Sequence, residues 1–108
     1  MAASMAVWTF RMRDTRRAEE GLALLHEFKA IGESNGLRVR IWQGYAGGGP
    51  APAQTVSVAF EGEDLGGLAT SIQKASAAPE MGIFAQKAFT PDSPLEYLET
   101  AIANEVYR

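Results

Sequence analysis

Cysteine is absent from the 108 residues, which removes disulfide staples, thiolate nucleophiles and cysteine zinc sites together and agrees with a reducing, cytoplasmic setting. Histidine occurs once, at His26, and a single imidazole makes no zinc site without carboxylate help, so no metal and no cofactor is expected. No apolar run approaches the roughly 18 residues of a membrane span, and the opening MAASMAVW has neither the positive flank nor the length of a secretion signal. No membrane partner is therefore expected. Charge of one sign is not in excess either: ten basic residues against thirteen acidic give a net charge of -3, with no drive towards nucleic acid. The GGGP at 47–50 lacks the GK[ST] ending of a phosphate loop, and no G-x-S-x-G elbow occurs.

What is present organises around residues 37–60. Two runs rich in β-branched and aromatic residues, 37–45 and 55–60, flank Gly47, Gly48, Gly49, Pro50 and Pro52, which neither a helix nor a central strand accommodates. The pattern predicts a β-hairpin with a long tip. Upstream, residues 6–13 alternate, with Ala6, Trp8, Phe10 and Met12 on one face and Val7, Thr9, Arg11 and Arg13 on the other, as in a strand with one apolar face. Asp14 or Thr15 then caps a helix whose stripe includes Gly21, Leu22, Leu25, Phe28 and Gly32 and which ends at Asn35-Gly36.

Downstream, Asp64 is the N-cap of a second helix with Leu65, Leu68, Ala69, Ile72 and Ala75 on its stripe, weakened by Gly66 and Gly67 at about 1 kcal/mol each. Pro79 suits the first position of a third helix that runs through Phe89. The tail is ambiguous. Leu95, Leu98, Ala101 and Ile102 recur as on a helix, whereas Leu98, Thr100, Ile102 and Asn104 alternate as on a strand, and periodicity alone leans to helix.

Strand, helix, hairpin, helix is most of a ferredoxin-like βαββαβ unit within a single domain, 1–108. GLRVRIWQG at 36–44, the glycine-rich tip, TVSVAFEGEDLGGL at 55–68 and AAPE at 77–80 resemble the dimeric α+β barrel superfamily, and in particular small bacterial NIPSNAP-like proteins. The resemblance implies an α+β fold in which the tail supplies a fourth strand to a four-stranded antiparallel sheet. It also implies a homodimer in which the bare sheet faces pair as a barrel, with the glycine-rich tip as an arm along the dimer. It supplies no activity, because such families hold oxygenases, isomerases and members without assigned function.

The candidate ligand pocket comprises Trp8, Phe10, Phe28, Trp42, Tyr45, Phe60 and Phe84, set between sheet and helices with space left by Gly66 and Gly67. It suits a small, largely apolar aromatic or acyl ligand, with Tyr45 and Tyr97 bonding its polar end. The competing reading is that these rings and Phe89 are simply core. His26 is the weak catalytic candidate, against a plain surface histidine. With His26, Tyr45 or Trp42, the alternative function is a cofactor-free monooxygenase or isomerase acting on an aromatic or polyketide-like substrate; a second alternative is a structural interaction module, and whether the chain is an enzyme stays open. Arg11, Arg13, Arg16, Arg17, Arg38 and Arg40 are expected to pair with acids such as Glu61, Glu99 or Glu105.

Overall fold

A computed structural model describes residues 3–43 and 55–104. The hairpin tip, with Tyr45 and the predicted arm, and Glu105 lie outside the described residues. The elements run β1 (Ser4–Met12), a 3₁₀ turn (Thr15–Arg17), α1 (Ala18–Ser34), β2 (Arg38–Gln43), β3 (Thr55–Gly62), α2 (Leu65–Ala77), α3 (Pro79–Ala88) and β4 (Leu95–Asn104). One four-stranded antiparallel sheet forms in the order β2-β3-β1-β4, with the helices on one side. This is the ferredoxin-like α+β arrangement. The hairpin contributes one edge strand and one inner strand, while β1 pairs on both sides and is the sheet's centre.

Local chemistry sets the element boundaries. Asp14 accepts from the Arg16 N–H and caps the 3₁₀ turn, so α1 proper starts three residues later than a cap at this position suggests. Gly36, with φ of 85°, ends α1: Leu37 N–H donates to Gly32 O at 3.0 Å and Gly36 N–H to Glu33 O at 3.2 Å, the paired bonds of a Schellman stop. Asp64 accepts from Gly67 N–H at 2.6 Å and caps α2, and Pro79 opens α3. On α2 only Leu68 and Ala75 are buried; Leu65 is exposed, so its inward stripe is narrower than the periodicity suggests.

The tail is a strand, as the family resemblance implied and periodicity did not. Its pairing with β1 shifts register between Thr9 and Phe10, with Thr9 opposite Glu99 and Phe10 opposite Tyr97, leaving Leu98 as the bulged extra residue. Before the bulge the odd residues Leu95 and Tyr97 share a face with Met12 and Phe10; after it the even residues Thr100 and Ile102 share a face with Trp8 and Ala6. The alternation therefore changes phase at Leu98. That break spaces Leu95, Leu98 and Ile102 by three and four and produces the false helical signal.

The helix-covered face carries the core. Register aligns Ala6, Phe60 and Val39 in one row and Trp8, Val58 and Ile41 in the next, with Phe10 beside Val56. α1 lays Leu24, Leu25, Phe28 and Ile31 over them, α2 adds Leu68 and Ala75, and α3 adds Phe84 and Ala88. The opposite face is bare. It presents Met5, Val7, Thr9 and Arg11 from β1, Ser57, Ala59 and Glu61 from β3, Arg38, Arg40 and Trp42 from β2, and Glu96, Glu99, Ala101 and Ala103 from β4.

Candidate functional site

Alternation on β1 aims Trp8 and Phe10 at the helices, where Phe28 of α1 meets both. Phe28 stacks on Phe84 with centroids 4.8 Å apart and planes 5° from parallel, and lies 4.8 Å from Phe60, which lies 4.8 Å from Trp8. Such pairs add about 0.5–1.5 kcal/mol each beyond burial. Five residues of the predicted pocket, Trp8, Phe10, Phe28, Phe60 and Phe84, are thus brought together. They touch one another: Phe10, Phe28, Phe60 and Phe84 are buried and Trp8 is half-buried.

Space between the layers does not come from Gly66 and Gly67, which are exposed at the start of α2, where an added Cβ meets only the Asp64 side chain. The glycines that matter for packing are on α1. A Cβ on Gly32 would stand 2.8 Å from Val39 Cγ2 and 2.9 Å from Phe60 Cε1, and one on Gly21 would stand 2.7 Å from Met12 Sδ. These contacts let α1 lie close on the sheet. The sequence pattern placed both glycines on the stripe without revealing that function.

Trp42 does not join the ring cluster. It pairs with Ser57, on the sheet face away from Phe28, and stands exposed. His26, also exposed, lies with Trp42, Lys29, Arg40 and Ile41 around a depression at the β2 edge of about 420 Å³. Among the described residues no hydrogen bond orients the imidazole. Two candidates from different elements are therefore neighbours, without the partner a general base uses to fix its tautomer.

Among the described residues, concavities of about 370 to 470 Å³ lie around the margins, lined by residues other than the Trp8–Phe84 cluster. The one continuous with the ring row lies where β1, α3 and β4 end or begin. The ring centroid of Phe89, just past α3, lies 6.0 Å from that of Phe84 and 5.9 Å from that of Phe10; the centroid of Tyr97 on β4 lies 5.9 Å from Phe10 and 5.6 Å from Phe89. These two rings are 44% and 43% exposed, so the buried row emerges at the surface. With Arg13, Ala88 and Leu95 they line a depression of about 420 Å³. The Tyr97 hydroxyl is engaged with Thr100 Oγ1 at 2.5 Å.

Charge on the open face is paired in part as expected. Arg40 Nε lies 3.1 Å from Glu61 Oε2, and Arg11 Nη1 3.4 Å from Glu96 Oε1. The Arg40 N–H does not point at that oxygen, and Glu61 Oε2 and Arg11 Nε are both buried atoms without a hydrogen bond. Arg16 pairs with Asp14 and Arg17 with Glu20, near neighbours rather than the acids expected. Bonds from the Arg16 side chain and N–H hold the Asp14 carboxyl below its ordinary 3.8. Arg13 lies beyond the end of β1 rather than in the open-face row and, like Arg38, has no ion pair among the described residues. Among the described residues no three potential metal ligands cluster, and no helix is long and apolar enough to cross a membrane.

Neither a family model nor a curated protein matches the sequence. Solved structures do resemble it. A NIPSNAP family protein from Agrobacterium tumefaciens superposes with a TM-score of 0.69 at 16% identity, over 96% of this chain and 91% of that one. An uncharacterized NIPSNAP domain protein from Burkholderia xenovorans gives 0.65 at 16% identity, over 100% and 95% of the two chains. A DABB-family protein with a ferredoxin-like fold from Mesorhizobium loti gives 0.64 at 12% identity, over 100% and 99%. At these identities the likeness establishes architecture: the chain has the ferredoxin-like α+β fold of the NIPSNAP-like and DABB proteins.

Proposed function

We propose that the chain is the subunit of a homodimer in which two open sheet faces pair, and that each subunit binds a small, largely apolar molecule at the surface end of its aromatic row. The observation that carries the pairing is the composition of the open face. Met5, Val7, Ala59, Ala101 and Ala103 form adjacent apolar rows across three strands, bordered by the Arg40–Glu61 and Arg11–Glu96 pairs. A four-stranded sheet with helices on one side leaves such a face wet, and burial against an identical face removes it from water. The border of opposite charges is self-complementary, as a two-fold interface requires.

The ligand reading rests on the rings. Between sheet and helices they fill the space themselves, so the binding place moves from beneath Trp8 and Phe60 to Phe89 and Tyr97, where two large rings stay half exposed beside a depression. Sedimentation equilibrium at micromolar concentration tests the first half: a mass of twice 11.6 kDa is expected, and a monomer refutes it. Titration with 3-phenylpropionamide and with 3-phenylpropionate, followed by amide chemical shifts, tests the second: changes centred on residues 88–91 and 95–97 are expected, and none from either compound up to 10 mM, roughly 10⁴-fold weaker than a typical micromolar site, refutes it.

A further inference from the structure

We infer that the depression bounded by Arg13, Phe89 and Tyr97 is a site for a small monocarboxylate with an aromatic or acyl body; this rests on the ligand-binding reading above and names its ligand class.

Arg13 is held at its base. Its backbone N–H donates to Pro94 O at 2.9 Å, and its Nε–H donates to Leu95 O at 3.3 Å. Those two bonds tie the end of β1 to the start of β4 and fix where the guanidinium points. Its two terminal nitrogens have no acidic partner among the described residues, whereas Arg11, Arg16, Arg17 and Arg40 each have one. An arginine anchored through Nε with its Nη groups free offers the fork that a carboxylate accepts in bidentate fashion. No acidic residue lines the depression, and Thr90 adds a hydroxyl to the wall.

The apolar half of the site is equally prepared. Phe89 and Tyr97 meet edge to face, with planes 82° apart, and each is backed by the fully buried Phe10. Rings braced from behind lose little freedom on binding, so an apolar body laid against them keeps most of its burial energy. The volume of about 420 Å³ lies within the usual range for small-molecule sites.

The other concavities lack this combination. The one between α1 and α3 has its cations spent internally, Arg17 on Glu20 and Lys87 on Glu27 at 2.7 Å, and carries the further carboxylate of Asp92. The one at His26 and Lys29 has Trp42 as its large ring, which no other ring braces among the described residues and which stands on the face assigned to the twin.

The test is a comparison of 3-phenylpropionate with 3-phenylpropionamide, titrated into the full chain while amide shifts of residues 13, 88–91 and 95–97 are followed. The acid is expected to bind at least 10-fold more tightly than the amide. Arg13→Gln is expected to erase that preference and Arg13→Lys to restore part of it, while Phe89→Ala weakens both compounds alike. Circular dichroism of each variant establishes that it is folded. Equal affinity for acid and amide, or an acid affinity unchanged in Arg13→Gln, overturns the carboxylate assignment while leaving an apolar site standing. Absence of binding by both compounds overturns the assignment and the apolar-ligand reading together.

Discussion

The two faces of the sheet use the same four strands to opposite ends. On the helix side, register stacks Phe60 beside Ala6 and Val39 and Val58 beside Trp8 and Ile41, and the helices cover them until Phe10, Val58 and Phe84 are 0% exposed. On the open side the same register stacks Ala59 between Val7 and Arg40, and Ser57 between Thr9 and Trp42, so that in these rows the inner strands carry small and aliphatic residues and the large ring, Trp42, stands on the edge strand β2. Thr9 and Ser57 share a hydrogen bond at 3.2 Å there. The helix side is closed by shape within one chain. The open side is mixed in composition and charge-bordered, as is a surface that meets another surface.

That contrast can be broken by substitution, and the largest effect belongs to the closed face. Phe84→Ala removes the ring stacked on Phe28 and is expected to lower unfolding free energy by about 3–5 kcal/mol in urea titration. Ala101→Glu puts a charge beside Val7 on the open face, on an exposed residue of the edge strand β4. It is expected to weaken the dimer about 100-fold, near 3 kcal/mol, by sedimentation, with the far-ultraviolet spectrum unchanged. The two substitutions should dissociate stability from assembly; a variant at Ala101 that unfolds the subunit would dissolve the distinction between the faces.

Smaller effects sharpen it. Gly32→Ala drives a methyl into Val39 and Phe60, and the overpacking outweighs the gain in helix propensity, for a net loss of about 1–2 kcal/mol. Gly66→Ala, with only ordinary contact to Asp64, should instead gain up to about 1 kcal/mol. The smallest effect is on acid stability. The Asp14 carboxyl is depressed in the fold, so its contribution is present above the ordinary 3.8 and is lost as pH falls through the lower folded value. Asp14→Asn should flatten the acid limb of a pH–stability curve slightly and leave neutral pH behaviour to the cap itself.

Much of the fold is legible in local chemistry, because caps and breakers act over three or four residues. Asp64, Asn35-Gly36 and Pro79 mark their boundaries from sequence for that reason. The tail is not legible, since the bulge at Leu98 reverses the alternation and no window on either side contains the reason. The candidate site divides in the same way. Trp8, Phe10, Phe28, Phe60 and Phe84 converge because alternation and helical stripe each aim them correctly. Trp42 carries the parity of Arg38 and Arg40, so its grouping with the rings followed residue type over register. Arg13 joins Phe89 and Tyr97 only through contacts between the ends of β1 and α3 and the start of β4, a juxtaposition far apart in sequence.

The most direct test of the difference between the faces is an isotope-filtered NOE experiment on a mixture of ¹³C-labelled and unlabelled chains. Intermolecular contacts are expected from the methyl groups of Met5, Val7, Ala101 and Ala103, with none from Val56, Val58 or Leu95. Intermolecular contacts from the helices with silence at Met5 and Val7, or no intermolecular contacts at all, would contradict the pairing of the open faces.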